Sequence, residues 1–262
     1  MAVYLTALLI YGAFAFAGPM SLLKGAAIVF LYATFDLVWT YLRDKVWYFP
    51  LSSFISGFVL SIVSKPDLPI FFIVLLPLLA VCSKQFLHFG KTRHIFNPAA
   101  FAMAVTSFFV PVISWWATGW DIVPLVIFSL TGIFILWKQE RWHVAIPFLA
   151  LYSILLFIFL LISGVTSGNI PGILTAQLVN GTLLFFSTVM LIEPMTSAFA
   201  TQRERIFYGL SVAVFSVGVA AFLRLTNIQN QDPLILGLLI GNLTASLLFL
   251  PKRKKDIMQA NS

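Results

Sequence analysis

The chain divides into about ten runs of apolar residues, which leave few folds open to it. A helix needs roughly 20 apolar residues to cross a bilayer. We place the runs at 3–17, 21–42, 48–63, 68–83, 97–112, 121–138, 143–163, 172–192, 205–224 and 233–250. Since 60% of the 262 residues are hydrophobic and only 10% are charged, a water-soluble domain would aggregate. The sequence predicts an all-α integral membrane protein with one polytopic domain over residues 1–262, in contact with the lipid bilayer.

Basic residues are concentrated after the even-numbered runs, whereas Lys24, Lys65 and Arg224 fall on the other side. The residues after the even-numbered runs are Arg43, Lys45, Lys84, Lys91, Arg93, Lys138, Arg141, Arg203, Arg205, Lys252, Arg253, Lys254 and Lys255. Short cytoplasmic loops are enriched in Lys and Arg. We therefore expect a multi-pass protein of the inner (plasma) membrane with both termini and a basic tail, 251–262, in the cytoplasm. This topology explains the net charge of +7, so we expect no nucleic-acid partner.

The fifth run opens with Asn97 and Pro98 directly after a basic segment. Proline suits the first turn of a helix because its missing N–H would be unpaired there, and a preceding Asn can cap the free backbone donors. A helix start within a membrane requires protein or a cavity around it. Asn97 is therefore a candidate binding residue, and a simple kink in a packed helix is the alternative.

A similar order of motifs occurs in two parts of the chain, at about 1–120 and 121–250. The recurring elements are Gly57, Lys65-Pro66 and Asn97-Pro98 in the first part, and Gly181, Glu193-Pro194 and Asp232-Pro233 in the second. With five helices each, the two parts would lie upside down relative to each other, as in many transporters. The pattern predicts two inverted five-helix repeats whose short helices point at a shared midplane cavity.

Four segments stand in an order and spacing that resemble a known family. They are Ser56-Gly57-Phe58-Val59-Leu60, Lys65-Pro66-Asp67-Leu68-Pro69, His94-Ile95-Phe96-Asn97-Pro98-Ala99, and Glu193-Pro194-Met195-Thr196-Ser197 with Ile206-Phe207-Tyr208-Gly209 after it. They are similar to the NqrB/RnfD family, the membrane proteins NqrB of the Na⁺-translocating NADH:quinone oxidoreductase and RnfD of the Rnf complex, over about residues 20–250. The resemblance implies a ten-helix, urea-channel-like fold and electron transfer through flavins. It also implies structural roles for Gly57, Pro98, Gly181, Glu193 and Pro194.

The family carries covalent FMN on a Thr in a long outer loop, but the corresponding loop here is short. It spans about 112–121, and only Ala117-Thr118 matches the family's attachment motif. We therefore expect a flavin, FMN or riboflavin, to be held non-covalently. The candidate cofactor-binding residues are Asn97, Trp116, Thr118 and Thr196. The residues Trp115, Trp116 and Trp120 can stack on a flavin ring, or anchor the chain at the membrane interface.

Asp36 is the clearest ionisable residue inside a predicted span and is a candidate for an ion pathway. The alternative is structural, because Arg43 lies two helical turns further on and on the same face. Glu193 is expected to accept hydrogen bonds from the backbone N–H groups of Thr196 and Ser197. The histidines lack the spacing of metal ligands on one helix face, so we expect no metal site.

The sequence contains no P-loop, dinucleotide-binding turn or HExxH motif, so oxidation of NADH or ferredoxin would belong to a partner. We expect a membrane-embedded electron-transfer subunit of a flavin-dependent, ion-translocating redox complex, without catalytic residues of its own. Other redox subunits or a soluble reductase would dock on its basic cytoplasmic loops. A channel or transporter for a small solute is the alternative, and a scaffold that anchors a reductase is a third.

Overall fold

The computed structural model describes residues 1–89, 93–119, 121–197 and 199–260. Its helices are α1 (Ala2–Gly12, continued by a π-helical turn, Ala13–Ala17), α2 (Pro19–Asp44), α3 (Leu51–Val63), α4 (Ile70–Phe86), α5 (Pro98–Ser107), α6 (Ile122–Gln139), α7 (Trp142–Ile162), α8 (Ile170–Leu178), α9 (Gly181–Phe185, continued by a π-helical turn, Phe186–Met190), α10 (Pro194–Ser197), α11 (Gln202–Thr226) and α12 (Pro233–Ala260). A 3₁₀ turn covers Trp116–Thr118. Two short strands, β1 (His88–Phe89) and β2 (Arg93–His94), form an antiparallel hairpin between α4 and α5.

Each predicted apolar run contains a helix, and four helices are long and apolar enough to cross a membrane: α2, α6, α7 and α11. The segment formed by α8, α9 and the following π-helical turn qualifies as a fifth if its 44° bend is counted within one span. The other apolar helices, including α3, α4 and α5, are shorter. The chain is therefore all-α, with four to five helices that are membrane-spanning by length and composition.

Close helix packing depends on glycine at two contacts. A Cβ atom at Gly57 of α3 would lie 2.9 Å from the Cα atom of Val29 in α2. A Cβ atom at Gly209 of α11 would collide with the backbone carbonyl of Val144 in α7. The predicted structural role of Gly57 thus corresponds to the close approach of α2 and α3.

Both predicted Asn-Pro and Asp-Pro helix starts are capped in the same way. Asn97 Oδ1 accepts a hydrogen bond from the Ala100 N–H at 3.0 Å, and Asp232 Oδ1 accepts one from the Ile235 N–H at 2.9 Å. A proline follows each cap and begins α5 or α12. The predicted capping role of Asn97 is confirmed.

The two capped ends do not meet. Ser107, at the carboxyl end of α5, donates a hydrogen bond to Gln231 at 2.9 Å, directly before the start of α12. Because α5 has ten residues, Asn97 lies about 15 Å from that end. The prediction that both helix starts point at one cavity is wrong, since α5 and α12 begin at opposite ends of their contact.

Candidate functional site

The largest opening is a cleft of about 880 Å³, here called the hairpin cleft, between the end of α2, the start of α3, the end of α4 and the β hairpin. Its lining is mostly polar and includes two basic side chains and two histidines. The lining residues are Thr40, Arg43, Asp44, Val46, Tyr48, Ser52, Lys84, Gln85, His88, His94 and Met195. The cleft is therefore large enough for a ligand of cofactor size.

A buried carboxylate, Asp36 of α2, lies beneath the hairpin cleft. Its oxygens accept hydrogen bonds from Ser53 Oγ at 2.6 Å, Lys84 Nζ at 2.8 Å and Gln85 Nε2 at 2.7 Å, and also from the Tyr48 hydroxyl. The Lys84 side chain is only 12% exposed. Asp36 thus has a cation and three neutral donors around it, an arrangement that favours the structural alternative over an ion pathway.

The expected pairing of Asp36 with Arg43 is wrong, because Lys84 of α4 supplies the cation instead. Arg43 lies at the end of α2, where its side chain is 49% exposed and pairs with the neighbouring Asp44 at 2.8 Å. Arg43 also donates to Gln85 Oε1 at 2.7 Å. Gln85 therefore links the buried carboxylate to the exposed guanidinium.

An apolar slot of about 410 Å³, here called the aromatic slot, adjoins the hairpin cleft. Its main walls are Trp39 of α2 and Phe86 of α4, whose rings meet edge to face with centroids 5.0 Å apart. The slot is lined by Trp39, Leu42, Arg43, Gln85, Phe86 and His88. Since three of these residues also line the hairpin cleft, the two openings are continuous. Sequence reasoning missed this slot, because its walls lie on helices that are distant in the sequence.

The β hairpin brings two histidines together at the edge of the cleft. His88 and His94 are paired across the strands. Burial, with a smaller contribution from the nearby Lys84 charge, lowers the pKa of His94 to about 4, so this ring is neutral at pH 7. In the described part of the chain, no group of three His, Cys, Asp or Glu side chains could hold a metal ion.

A second cavity, of about 80 Å³, brings together several residues of the family motifs and is here called the Asn97 cavity. Its lining is Met1, Ile55, Ser56, Val59, Asn97, Ala99, Gln139, Val189, Glu193 and Pro194. Asn97 Nδ2 donates to the Met190 carbonyl at 3.4 Å, so this end of α5 is attached to the turn after α9. Gly181, at the start of α9, follows Asn180, whose Oδ1 accepts from the Leu183 N–H at 2.9 Å.

Glu193 makes its expected turn with its backbone rather than with its carboxylate. The Glu193 carbonyl accepts hydrogen bonds from the Thr196 N–H at 3.2 Å and the Ser197 N–H at 2.9 Å. The Thr196 hydroxyl lies within 3.4 Å of Glu193 Oε2. The longer Glu side chain leaves the backbone to close this turn, which positions Glu193 in the Asn97 cavity.

Trp116 and Thr118 do not share a cavity with Asn97 and Thr196. The buried Thr118 hydroxyl donates to the Trp115 carbonyl at 2.8 Å and forms a hydrogen bond with the Thr182 hydroxyl at 2.9 Å. The Trp116 indole donates to the Ser61 carbonyl at 3.0 Å. The predicted cofactor residues are therefore divided between two places. Trp120 lies outside the described residues.

Comparison with known proteins adds no relative, since no family model matches the chain and no curated protein is significantly similar to it. The resemblance to NqrB and RnfD therefore stays a prediction. Function has to be argued from the hairpin cleft, the aromatic slot and the Asn97 cavity.

Proposed function

We propose that the chain is a membrane-embedded electron-transfer subunit that holds a flavin non-covalently in the hairpin cleft and the aromatic slot. A flavin needs a slot with aromatic or aliphatic walls for its ring and a few polar groups for its edge and side chain. The continuity of the apolar slot with the polar cleft is the observation that supports this proposal.

The residue roles follow from the lining. Trp39 and Phe86 would enclose the isoalloxazine ring, and Gln85, at the boundary, would form hydrogen bonds with its edge. Tyr48 and Ser52 would bind the ribityl hydroxyl groups. This assignment replaces Trp116 and Thr118 as flavin contacts.

The charges of the cleft favour riboflavin over FMN. Lys84 is paired with Asp36, and Arg43 with Asp44, so neither cation is free to balance a phosphate. A phosphate would have to displace Asp44 or lie beside its carboxylate, which is unfavourable. An uncharged ribityl chain avoids both costs. Covalent attachment at Thr118 is disfavoured as well, since that hydroxyl is buried and hydrogen-bonded.

The finer topology belongs to the same proposal. Ten helices in two inverted repeats, with both termini and the hairpin cleft on the cytoplasmic side, would expose the flavin to an acidic soluble reductase or a neighbouring redox protein. The basic residues that follow the even-numbered runs support this orientation. Electrons would enter from that partner, because we find no dinucleotide-binding motif in the chain.

The test is the visible absorption spectrum of gently purified protein, followed by chromatography of the released flavin. We expect about one riboflavin per chain and no flavin mass on the denatured polypeptide. Trp39→Ala and Phe86→Ala should lower flavin affinity by about tenfold or more. Trp137→Ala is the matched control, since Trp137 is an exposed aromatic residue on α6 that lines neither opening. A colourless protein that binds no added flavin would overturn the proposal.

A small-solute channel is the second candidate, and the Asn97 cavity favours it. Ser56, Asn97, Gln139 and Glu193 give this cavity polar groups inside an otherwise apolar bundle. In liposomes, a channel should conduct a urea-sized solute, and Asn97→Leu should block the flux. Flux without bound flavin would support this candidate and exclude the first.

A further inference from the structure

A small cavity lies near the end of α2 that is remote from the hairpin cleft. It is enclosed by the start of α2, the end of α3 and the segment that follows α3. Its lining is Ser21, Lys24, Gly25, Ile28, Ser61, Ser64, Lys65, Pro66, Leu68, Ile73 and Trp116. The space open to the centre of a water-sized guest is about 10 Å³. This serine–lysine cavity therefore has room for a single small species.

Two buried hydroxyl groups in this lining have no partner. Ser61 is 2% exposed and Ser64 is 1% exposed. Neither Oγ atom finds a hydrogen-bond partner in the part of the chain that the structure describes. Buried hydroxyl groups in proteins are nearly always hydrogen-bonded, and an exception often marks a missing water or ion. The cavity thus requires an occupant that accepts hydrogen bonds or donates them.

Two lysines give the cavity a positive charge. Lys24 and Lys65 both line it, and Lys24 Nζ donates to the Leu68 carbonyl at 3.1 Å. Among the described residues, the ion pairs within 4.0 Å are Arg43 with Asp44 and Lys84 with Asp36, so neither lysine here has a carboxylate partner. No acidic residue belongs to the lining.

We propose that the serine–lysine cavity binds a small monovalent anion of the size of chloride. Such an ion accepts hydrogen bonds from hydroxyl and ammonium groups together, and it balances charge that a water molecule would leave uncompensated. A larger oxyanion such as phosphate exceeds the available space. The site is independent of the flavin proposal, because it shares no residue with the hairpin cleft or the aromatic slot.

The first measurement is thermal unfolding in detergent with sodium chloride against sodium gluconate at equal ionic strength. A ligand that binds only the folded state stabilises it by RT ln(1 + [L]/Kd), so the Tm should rise with chloride concentration and follow this relation. Bromide should act similarly, and an experimental structure in bromide should show an anomalous peak beside Ser61 and Ser64.

Gly25→Ala removes the space for the ion, because the new Cβ atom would collide with Ser61 Oγ. Gly218→Ala is the matched control, since a Cβ at this helical glycine of α11 meets nothing within 4 Å. Ser61→Ala is a milder second variant if Gly25→Ala fails to fold. We expect chloride affinity to fall by about tenfold or more in both cavity variants and to stay unchanged in the control.

Two results would overturn the proposal. One is a Tm that is equal in chloride and gluconate, or a chloride effect that is the same in all variants. The other is a structure in bromide whose cavity contains only a water molecule. Since flavin content is measured separately, failure here would leave the flavin proposal unaffected, and a colourless protein could still bind chloride.

Discussion

Two carboxylates, Asp36 and Asp232, are stabilised by different means in the same apolar chain. Asp36 lies within α2 and is paired with Lys84 of α4, 48 residues away. Asp232 precedes α12, where it accepts hydrogen bonds from the Ile235 N–H at 2.9 Å and the Trp115 indole at 2.7 Å. Among the described residues, no cation lies within 4.0 Å of Asp232.

The difference shows which carboxylate depends on tertiary packing. Asp36 is in the middle of a helix, where the backbone offers it no free donor, so another helix must bring the compensating charge. Asp232 has the free N–H groups and the positive dipole end of α12 beside it. The helix start would accept a neutral cap as well, whereas the position of Lys84 requires a negative partner.

The largest effect that separates the two sites should come from Lys84→Met. This change leaves Asp36 buried without its cation, and we expect it to lower the free energy of unfolding by about 3–5 kcal/mol. Denaturation in detergent micelles measures it. Adding Asp36→Asn to Lys84→Met should restore much of the loss. Arg43→Met is the control, with a loss of about 0.5 kcal/mol or less, because its ion pair is half exposed. Similar losses for Lys84→Met and Arg43→Met would show that Asp36 does not need a cation.

A smaller effect is expected at Asp232, and it should depend on the replacement. Asp232→Ala removes the cap of α12 and leaves the Trp115 indole without its acceptor, at a cost of about 1–2 kcal/mol. Asp232→Asn keeps an acceptor for Ile235 and should cost clearly less. The same unfolding measurement compares the two variants. An Asn variant as unstable as the Ala variant would mean that the charge matters more than the cap.

The smallest effect should be the pH dependence around the hairpin cleft. The pKa of His94 is about 4 in the folded chain, below the usual value of 6.5. Between these values the unfolded chain binds more protons, so stability should fall as the pH drops from 7 through 6.5 towards 4. We expect a loss of about 1 kcal/mol at pH 5.5, reduced by partial solvent exposure. His94→Gln should remove this part of the pH dependence. An unchanged pH profile in that variant would assign the effect to another group.

Features with local causes were predictable from the sequence. The apolar runs marked the helices because a spanning helix needs a long apolar stretch. The caps at Asn97 and Asp232 were visible because a cap contacts a backbone group only three residues later.

Features that depend on distant contacts were not predictable. Periodicity along α2 suggested Arg43 as the partner of Asp36, but the position of α4 decided in favour of Lys84. Separation in the sequence likewise hid the pairing of His88 with His94, which requires a hairpin rather than a helix. The hairpin cleft and aromatic slot arise from α2, α3 and α4 together, so no single motif could indicate them.

The attachment of α5 has a mechanical consequence. One end of this short helix is tied by Asn97 to the Met190 carbonyl, and the other by Ser107 to Gln231. Both partners belong to the second half of the chain, although α5 itself belongs to the first. The helix thus acts as a strut about 15 Å long that couples the halves. A rocking motion of one half against the other, as used by transporters with two repeats, would have to carry α5 along or break a hydrogen bond at each of its ends.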